Sequence, residues 1–499
     1  MMRTRDEWAL AARRIDPRRR AFIGGAFVDA ADGDTFVTRD PATGAVLAEV
    51  ARGRAEDVDR AVRAARRAFD AGHWSRSTPD HRKRVLLRLA ELIRENADEL
   101  ALLDTLDGGK LIVDTTTVDV PGSASILQWY AEAIDKHYGE VAPAAPRDLA
   151  IVTREPLGVI GAVVPWNYPL EMAMWKLAPA LAVGNSVVLK PAEESPLSVL
   201  RLAELAAQAG VPDGVLNVVP GFGEEAGQAL GRHPDVDAIA FTGSTAVGGL
   251  FLRYAGESNM KQVWIEAGGK SANLVFADAG DLDAVADKAV AGIFGGAGQV
   301  CSANSRLLVE ETIAAELVEL IAERTARIRV GDPLDPETTM GPLISERQRE
   351  RVLRYMAAGR AESTPIVGGE VLHPDSGGYY VAPAVFSAVP DTATIAREEV
   401  FGPLLAVSTF RTEDEAVARA NASVYGLAAS VFTESVHRAH RVARALRVGT
   451  VSVNTVDAIA VTVPFGGVKQ SGFGRDLSLH ALDKYTALKT TWFAGRDEV

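Results

Sequence analysis

The chain has 499 residues, 47% of them apolar, and a formal net charge of −13. This length predicts two or three domains with large apolar cores. The acidic balance argues against nucleic acid as a partner, and without an apolar run near ~18 residues no membrane span is predicted.

The arginine-rich N-terminus and the single cysteine bear on the compartment. Residues 3–20 lack the apolar core of a secretory signal, and their acidic residues argue against a mitochondrial transit peptide. We therefore expect a solvated surface helix there. Cys301 is the only cysteine of the sequence, which fits a reducing compartment. Together these features predict a cytoplasmic protein.

The next elements form a first α/β unit. Helices are predicted over 57–69 and 81–103, although Asn96 and Asp98 interrupt the second pattern and leave its boundary open. Strands are then predicted over 159–164, 186–190, 215–219 and 238–242, with helices over 170–181, 198–209, 224–231 and 245–254. Strands that alternate with helices predict a parallel sheet covered on both faces.

The alternation resumes in a second α/β unit. Its predicted elements are 272–276, 282–294, 305–309, 313–328, 414–421, 427–432 and 436–446, with a Pro/Gly-rich loop over 331–342. The Thr-rich segment 486–493 alternates weakly. It predicts an edge strand suited to pairing with another chain.

Two residues have the chemistry of a nucleophile and a base. Cys301 lies in a Gly-containing loop, where exposure and backbone N–H groups favour a reactive thiol over a small buried hydrophobe. Glu266 follows the strand-like run 262–265 and precedes two glycines. A carboxylate beside apolar walls has a raised pKa that suits it to activating water. The alternative for Glu266 is a solvent-facing strand end.

Three further segments suit binding. Asn167 lies between Pro165 and Pro169, so its amide could be held rigidly as an oxyanion donor; the alternative is a capping asparagine. The glycine turn in 241–248 joins a strand to a helix and could bind phosphate, although it matches no standard phosphate motif. Lys190 and Glu193 end another strand, where they could hold ribose hydroxyls or simply be solvated.

Taken together, these segments resemble the aldehyde dehydrogenase superfamily over nearly the whole chain. The segments that carry the resemblance are PWNYP, KPAEESP, FTGST, EAGGK, GQVCSA, EEVFGP, Asn454 and the run 464–475. The resemblance implies an α/β protein with a Rossmann-like cofactor domain, a second α/β catalytic domain and a small β oligomerisation arm. The implied cofactor domain covers 1–133, 154–264 and 464–479, the catalytic domain 265–463, and the arm 134–153 and 480–499.

The resemblance also implies roles for individual residues. Cys301 would be the nucleophile, Asn167 the oxyanion donor together with the Cys301 N–H, and Glu266 the base that activates water. Lys176 would act near the site electrostatically. The implied cofactor contacts are Pro165, Trp166, Lys190, Glu193, Gly243, Ser244, Gly268, Glu399 and Phe401. Glu193 would repel a 2′-phosphate, so NAD is expected over NADP. No metal is implied, and the partners would be an aldehyde and further copies in a homodimer or homotetramer.

Two departures from the family pattern are informative. Gly295 and Gly296 stand where relatives commonly carry an aromatic residue and an asparagine, so the loop before Cys301 is expected to be looser. Ala267 replaces the usual leucine, and 266–278 and 474–493 resemble the bacterial branch that oxidises γ-glutamyl-γ-aminobutyraldehyde in putrescine degradation.

A substrate tunnel is implied as well, lined by Tyr168, Glu171, Trp175, Val300, Ser302 and Asp457. Relatives usually have an apolar residue at Glu171, so we hypothesise that this carboxylate attracts a substrate ammonium. The alternative is a carboxylate in the first turn of the helix, where the helix dipole favours a negative charge.

Three other functions remain to be distinguished. Betaine-aldehyde or broad aliphatic aldehyde oxidation would change only the substrate. An acylating enzyme that transfers the thioester to coenzyme A would have no need of Glu266. A non-catalytic binding or structural protein on this fold would have no reason to keep Cys301, Glu266 and Asn167 together.

Overall fold

The computed structural model describes residues 3–495. Its first part is mostly helical, with short β-hairpins at either end. Its elements are α1 (Arg5–Ala12), β1 (Ala21–Ile23), β2 (Ala26–Val28), β3 (Thr35–Arg39), β4 (Val46–Ala51), α2 (Ala55–Ala71), α3 (Pro79–Glu95), α4 (Ala97–Gly108), α5 (Ile112–Asp114), α6 (Val120–Ala133), β5 (Glu140–Ala142) and β6 (Leu149–Pro156).

Two details of this part refine the predictions. The helix predicted over 81–103 is two helices, because Asn96 leaves helical geometry and its side-chain amide donates 2.7 Å to the Leu92 carbonyl oxygen. The N-terminal helix is not simply solvated, since Trp8 on α1 is buried. A π-helix over Thr115–Asp119 joins α5 to α6.

The next part alternates strands and helices, as predicted. Its elements are β7 (Val159–Val163), α7 (Pro169–Ala182), β8 (Ser186–Lys190), α8 (Leu197–Ala209), β9 (Leu216–Val218), α9 (Gln228–Arg232), β10 (Ala238–Gly243), α10 (Thr245–Gly256) and β11 (Gln262–Ala267). The helix predicted over 224–231 begins with a π-helical turn, Gly223–Gly227, before α9.

The last part holds a second set of strands and helices. Its elements are β12 (Ala272–Val275), α11 (Leu282–Phe294), β13 (Arg306–Glu310), α12 (Ala314–Ala326), α13 (Glu346–Glu362), β14 (Thr364–Val367), β15 (Ala384–Ser387), α14 (Thr394–Arg397), β16 (Leu404–Phe410), α15 (Glu413–Asn421), β17 (Ala428–Phe432), α16 (Val436–Ala445), β18 (Thr450–Val453), β19 (Gly472–Phe473) and β20 (Thr486–Phe493).

Two large sheets organise these elements. The first has the order β19-β11-β10-β7-β8-β9-β1-β2, with a parallel centre from β11 to β9. The second has the order β14-β15-β16-β13-β12-β17-β18 and is parallel except for β14. Their central strands are buried along their whole length, as expected for sheets covered by helices on both faces.

A smaller sheet has the order β20-β6-β5. The strand predicted over 486–493 is therefore confirmed, and it pairs antiparallel with β6 of the same chain. Leu488, Trp492 and Phe493 of β20 are exposed. Within residues 3–495 no helix is both long and apolar enough to cross a membrane.

Candidate active site

A deep cleft opens where the strands of the first sheet end. It encloses about 600 Å³ and is lined by residues at the carboxyl ends of β7, β8, β10 and β11. The chain runs outward from β7 through β8 to β9, and on the other side from β10 to β11. The cleft therefore lies at the point where the strand order reverses, which is where open α/β sheets bind ligands.

Cys301 reaches the cleft on the loop after α11. That loop begins with a short 3-10 turn, Gly295–Gly298, and Cys301 follows three residues after the turn. Within the turn, Gly296 and Ala297 have φ of 57° and 56°. The cysteine loop packs close to the end of β11 because residue 269 is a glycine. A Cβ atom at Gly269 would lie only 2.7 Å from the carbonyl oxygen of Cys301. The free thiol is half-buried. Burial and the carboxyl group of Glu266 raise the pKa of this thiol well above its ordinary value.

Glu266 enters the same cleft from β11. Its side chain is buried, and neither carboxyl oxygen has a hydrogen-bond partner among the described residues. Burial raises the pKa of Glu266 to about 8, although the nearby Lys176 ammonium opposes that shift. A carboxyl group with such a pKa can accept a proton near neutral pH, which suits a general base.

Asn167 lies beside the cysteine loop and is held from two sides. Its side-chain Nδ2 donates a 2.8 Å hydrogen bond to the carbonyl oxygen of Gln299. Its backbone carbonyl oxygen accepts a 3.2 Å hydrogen bond from Lys110 Nζ. Lys110 Nζ also lies 3.3 Å from the centroid of the Tyr168 ring and 3.1 Å from a carboxyl oxygen of the buried Asp119. One N–H of the Asn167 amide is thus used for orientation, and the other remains for a ligand.

The residues predicted to hold the adenosine half of a dinucleotide also line the cleft. Lys190 Nζ donates 2.6 Å to the Pro191 carbonyl oxygen and 3.3 Å to Glu193. Gly243 ends β10, and Ser244 caps the N-terminus of α10, whose free N–H groups and dipole suit a pyrophosphate. The buried Thr242 Oγ1, also in the cleft, has no partner among the described residues. This donor set fits a dinucleotide.

The residues predicted around a nicotinamide ring line the cleft as well. Glu399 accepts 3.1 Å from the Gly269 N–H, next to Gly268, and the Trp166 and Phe401 rings meet edge to face at 5.2 Å. Pro165 lines the same wall.

The residues that fix this wall were not predicted. Gln348 donates 2.7 Å to the Phe401 carbonyl oxygen, and Arg351 donates 2.7 Å to that of Glu399. Both side chains come from α13 and line the cleft. No motif near them in the sequence marked them.

All six residues predicted for a substrate tunnel are in the cleft. Tyr168, Glu171, Trp175, Val300, Ser302 and Asp457 line the cleft, joined by Val118, Ile459 and Phe465, which were not predicted for the tunnel. Ser302 Oγ donates 2.6 Å to Asp457, and the Trp175 ring meets Phe465 edge to face. Glu171 is half-buried, and burial, with the Asp119 carboxylate, raises its pKa to about 7.

Lys176 is the one predicted site residue that does not line the cleft. It lies on α7, which is buried except at Glu171, and its ammonium contacts Asp476 and is close enough to Glu266 to influence its pKa. Asp476 also contacts Lys484, and these two residues were not singled out from the sequence.

Comparison with known proteins agrees with this geometry. The aldehyde dehydrogenase family profile matches residues 27–491. The NADP/NAD-dependent aldehyde dehydrogenase PuuC of Escherichia coli is 52% identical over 488 residues, 98% of each chain. Two solved structures superpose with TM-scores of 0.98, each covering 99% of this chain and 100% of its own. They are the γ-glutamyl-γ-aminobutyraldehyde dehydrogenase of Burkholderia cenocepacia, 54% identical, and the indole-3-acetaldehyde dehydrogenase AldA of P. syringae with NAD+ and IAA, 52% identical.

The family profile covers most of the chain, and the relatives match both the sequence and the fold from end to end. The cleft between the two α/β units, with its lone cysteine, is thus found on a scaffold that its relatives share. This chain is a member of the aldehyde dehydrogenase family of oxidoreductases.

Proposed function

We propose that this enzyme oxidises an ω-amino or γ-glutamylamino aldehyde of polyamine degradation to its carboxylic acid, by covalent capture on Cys301. The observation that carries the proposal is that Cys301, Asn167 and Glu266 meet in one cleft whose substrate end holds Glu171. The 54% identical relative named for an aminobutyraldehyde supports the substrate class. The relative named for indole-3-acetaldehyde makes an aromatic aldehyde the principal rival.

The capture step uses the cysteine loop and Asn167. The Cys301 thiol first loses its proton to solvent. The thiolate sulfur then attacks the aldehyde carbon, and the carbonyl π pair moves onto oxygen. The free N–H of Asn167 and the backbone N–H of Cys301 stabilise that oxyanion, which is the largest single contribution in many acyl-transfer sites. A bound oxidised nicotinamide would supply the hydride acceptor for this carbon, and loss of the hydride as the C=O bond re-forms would leave a thioester on Cys301.

The release step uses Glu266. Its carboxylate takes a proton from water while the water oxygen attacks the thioester carbon. The C–S bond then breaks and the cysteine leaves as thiolate. Covalent capture thus divides one difficult oxidation into two easier steps. Glu266 is buried beside the thiol, which favours hydrolysis over transfer to coenzyme A.

Lys190, Glu193, Gly243, Ser244, Glu399 and Phe401 would hold the cofactor. The Glu193 carboxylate lies beside Lys190, at the position where a 2′-phosphate would bring a second negative charge. We infer NAD as the preferred cofactor, although the relative PuuC is named for both NADP and NAD.

The sheets support a proposal for the domain limits and the oligomer. The strands of the first large sheet come from 21–28, 159–267 and 472–473, and those of the second from 272–453. We assign the former to cofactor binding and the latter to catalysis. Residues 134–153 and 480–499 form the proposed arm; residues 1–2 and 496–499 lie outside the described part.

The exposed apolar residues of β20 support a homodimer or homotetramer, which light scattering would test.

The test is NAD reduction with γ-glutamylaminobutanal, 3-aminopropanal, 4-aminobutanal, betaine aldehyde, propanal, hexanal and indole-3-acetaldehyde, with Cys301→Ala as the inactive control. The highest kcat/KM for the amino or glutamylamino aldehydes would support the proposal. Highest values for an aliphatic or aromatic aldehyde would keep the chemistry and overturn the substrate. Turnover that requires coenzyme A would overturn the role of Glu266.

A further inference from the structure

Behind Glu266, one buried carboxylate is paired with two lysines. Lys176 Nζ contacts one carboxyl oxygen of Asp476, and Lys484 Nζ contacts the other. Their side chains are 1%, 1% and 5% exposed for Lys176, Asp476 and Lys484. Water therefore cannot screen these charges, and their sum matters to every neighbouring group.

The three residues come from separate elements, each fixed independently. Lys176 belongs to α7, and Lys484 to a 3-10 helix over Leu479–Tyr485. Asp476 is held by two backbone hydrogen bonds to Phe465, of 2.7 and 2.8 Å, and Phe465 itself lines the cleft. The cluster is thus rigid and lies directly behind the cleft wall.

The other titratable groups that face Asp476 are two buried tyrosines. Tyr130 Oη donates 3.0 Å to the Ser478 carbonyl oxygen, and Tyr485 lies beside Lys484. Burial raises the pKa of both phenols, so they stay neutral. Below about pH 8, where Lys484 is protonated, two ammonium groups and one carboxylate leave the cluster with a net charge of +1.

Glu266 is the group that can balance this charge. It is buried without a hydrogen-bond partner among the described residues, and both lysines favour its ionised form, whereas Asp476 and Glu399 oppose it. Cys301 also faces Glu266. An uncompensated buried charge is costly, so the cluster reaches neutrality when Glu266 is a carboxylate.

We propose that Lys484 is a positioning residue for thioester hydrolysis, because its ammonium gives the Asp476 cluster the extra positive charge that favours the basic form of Glu266. The inference rests on the proposed role of Glu266. Burial lowers the pKa of Lys484 to about 8, so its charge acts in the range where Glu266 itself titrates.

The test measures hydrolysis of the acyl-enzyme after p-nitrophenyl acetate acylates Cys301, between pH 6 and 10 and without cofactor. In Lys484→Met the profile should shift upward by about one pH unit, so hydrolysis is about tenfold slower at pH 7 and equal at pH 10. Lys484→Arg keeps the charge and should keep the wild-type profile below pH 8. Asp476→Asn adds a positive charge and should shift the profile downward.

The outcomes separate this inference from the proposed function. Glu266→Gln should accumulate acyl-enzyme; if it hydrolyses like wild type, Glu266 is not the base and the proposed function fails. If Glu266→Gln is blocked but Lys484→Met shows an unshifted profile, or one lowered equally at every pH, the inference about Lys484 is wrong. Should Lys484→Met not fold, the double variant Lys484→Met/Asp476→Asn decides, because it leaves no unpaired buried carboxylate in the cluster. Its profile should lie above that of Asp476→Asn, and coinciding profiles overturn the inference.

Discussion

The side-chain amide of Asn167 donates a 2.8 Å hydrogen bond to the carbonyl oxygen of Gln299, two residues before Cys301. This bond ties the proposed oxyanion donor to the loop that carries the nucleophile, so the two groups move together. A fixed donor needs no reorganisation when negative charge develops on the substrate oxygen, which is why such donors are effective.

Asn167→Ala should therefore lower kcat/KM by about 10²–10³ without abolishing activity, since the backbone N–H of Cys301 remains. The measurement is NAD reduction with the best aldehyde of the panel. Alkylation of Cys301 by iodoacetamide is the control and should change by no more than about twofold. A slower alkylation to the same extent as turnover would show damage to the loop rather than loss of a donor.

Glu193 should set the cofactor preference. Glu193→Ser removes the carboxylate beside Lys190, so kcat/KM with NADP should rise about tenfold relative to NAD, since like-charge repulsion is lost. Glu224→Ser is a matched control, because Glu224 is exposed and does not line the cleft. An unchanged NADP/NAD ratio in Glu193→Ser would show that this carboxylate does not face the 2′ position.

Glu171 should recognise a substrate ammonium. In Glu171→Leu and Glu171→Gln, the ratio of kcat/KM for 4-aminobutanal over hexanal should fall about tenfold, since either change removes the charge. The pKa of Glu171 is raised to about 7, so its charge is lost as pH falls through 7. The wild-type ratio should thus increase from pH 6 to pH 8. If the ratio of kcat/KM for 4-aminobutanal over hexanal is independent of pH and unchanged in both variants, Glu171 does not recognise the substrate and serves only as a carboxylate at the start of the helix.

Much of the fold and cleft could be predicted because the signals are local. Buried parallel strands are continuous apolar runs, and Cys301, Glu266 and Asn167 each lie in a segment punctuated by glycine or proline. One of the glycines that follow Glu266, Gly269, is needed because it lets the cysteine loop pack close to β11. Residues at the ends of neighbouring parallel strands lie at the same edge of the sheet, so their proximity can be predicted from the strand pattern alone.

Apart from Lys176, which the family resemblance implied, the charged groups behind the cleft could not be predicted in this way. Lys176 and Asp476 are 300 residues apart, and Lys110 and Lys484 resemble ordinary surface lysines in sequence. Only the tertiary structure brings the first pair together: Lys176 lies on α7, and Asp476 is held by backbone hydrogen bonds to Phe465. Burial, which gives these charges their influence, is a property of the tertiary structure.

Lys110 illustrates the same point and yields a stability prediction. Lys110→Met leaves Asp119 as an unpaired buried carboxylate, which should lower the free energy of unfolding by about 3–5 kcal/mol. The double variant Lys110→Met/Asp119→Asn should recover most of that loss in urea unfolding. Its kcat/KM should stay low, because the hydrogen bond to the Asn167 carbonyl oxygen is still missing. Full recovery of both the free energy of unfolding and kcat/KM would show that Lys110 only neutralises Asp119.

The two glycines before Cys301 should differ sharply when each is replaced by alanine. Gly295 has φ of −53° and ψ of 137°, and a Cβ atom there meets nothing within 4 Å. Gly295→Ala should thus raise the free energy of unfolding by about 0.4–1 kcal/mol, by reducing the freedom of the unfolded chain. Gly296 has φ of 57°, so alanine there is strained by about 1–2 kcal/mol and the net effect should be destabilising.

Hydrogen exchange of the 296–301 amides then tests whether Gly295 loosens the cysteine loop. Gly295→Ala should slow that exchange, because the added Cβ restricts the backbone at the end of α11, and Gly296→Ala should speed it. If Gly295→Ala stabilises the fold yet leaves exchange in the loop unchanged, the freedom of the loop arises from the left-handed pair Gly296 and Ala297 instead.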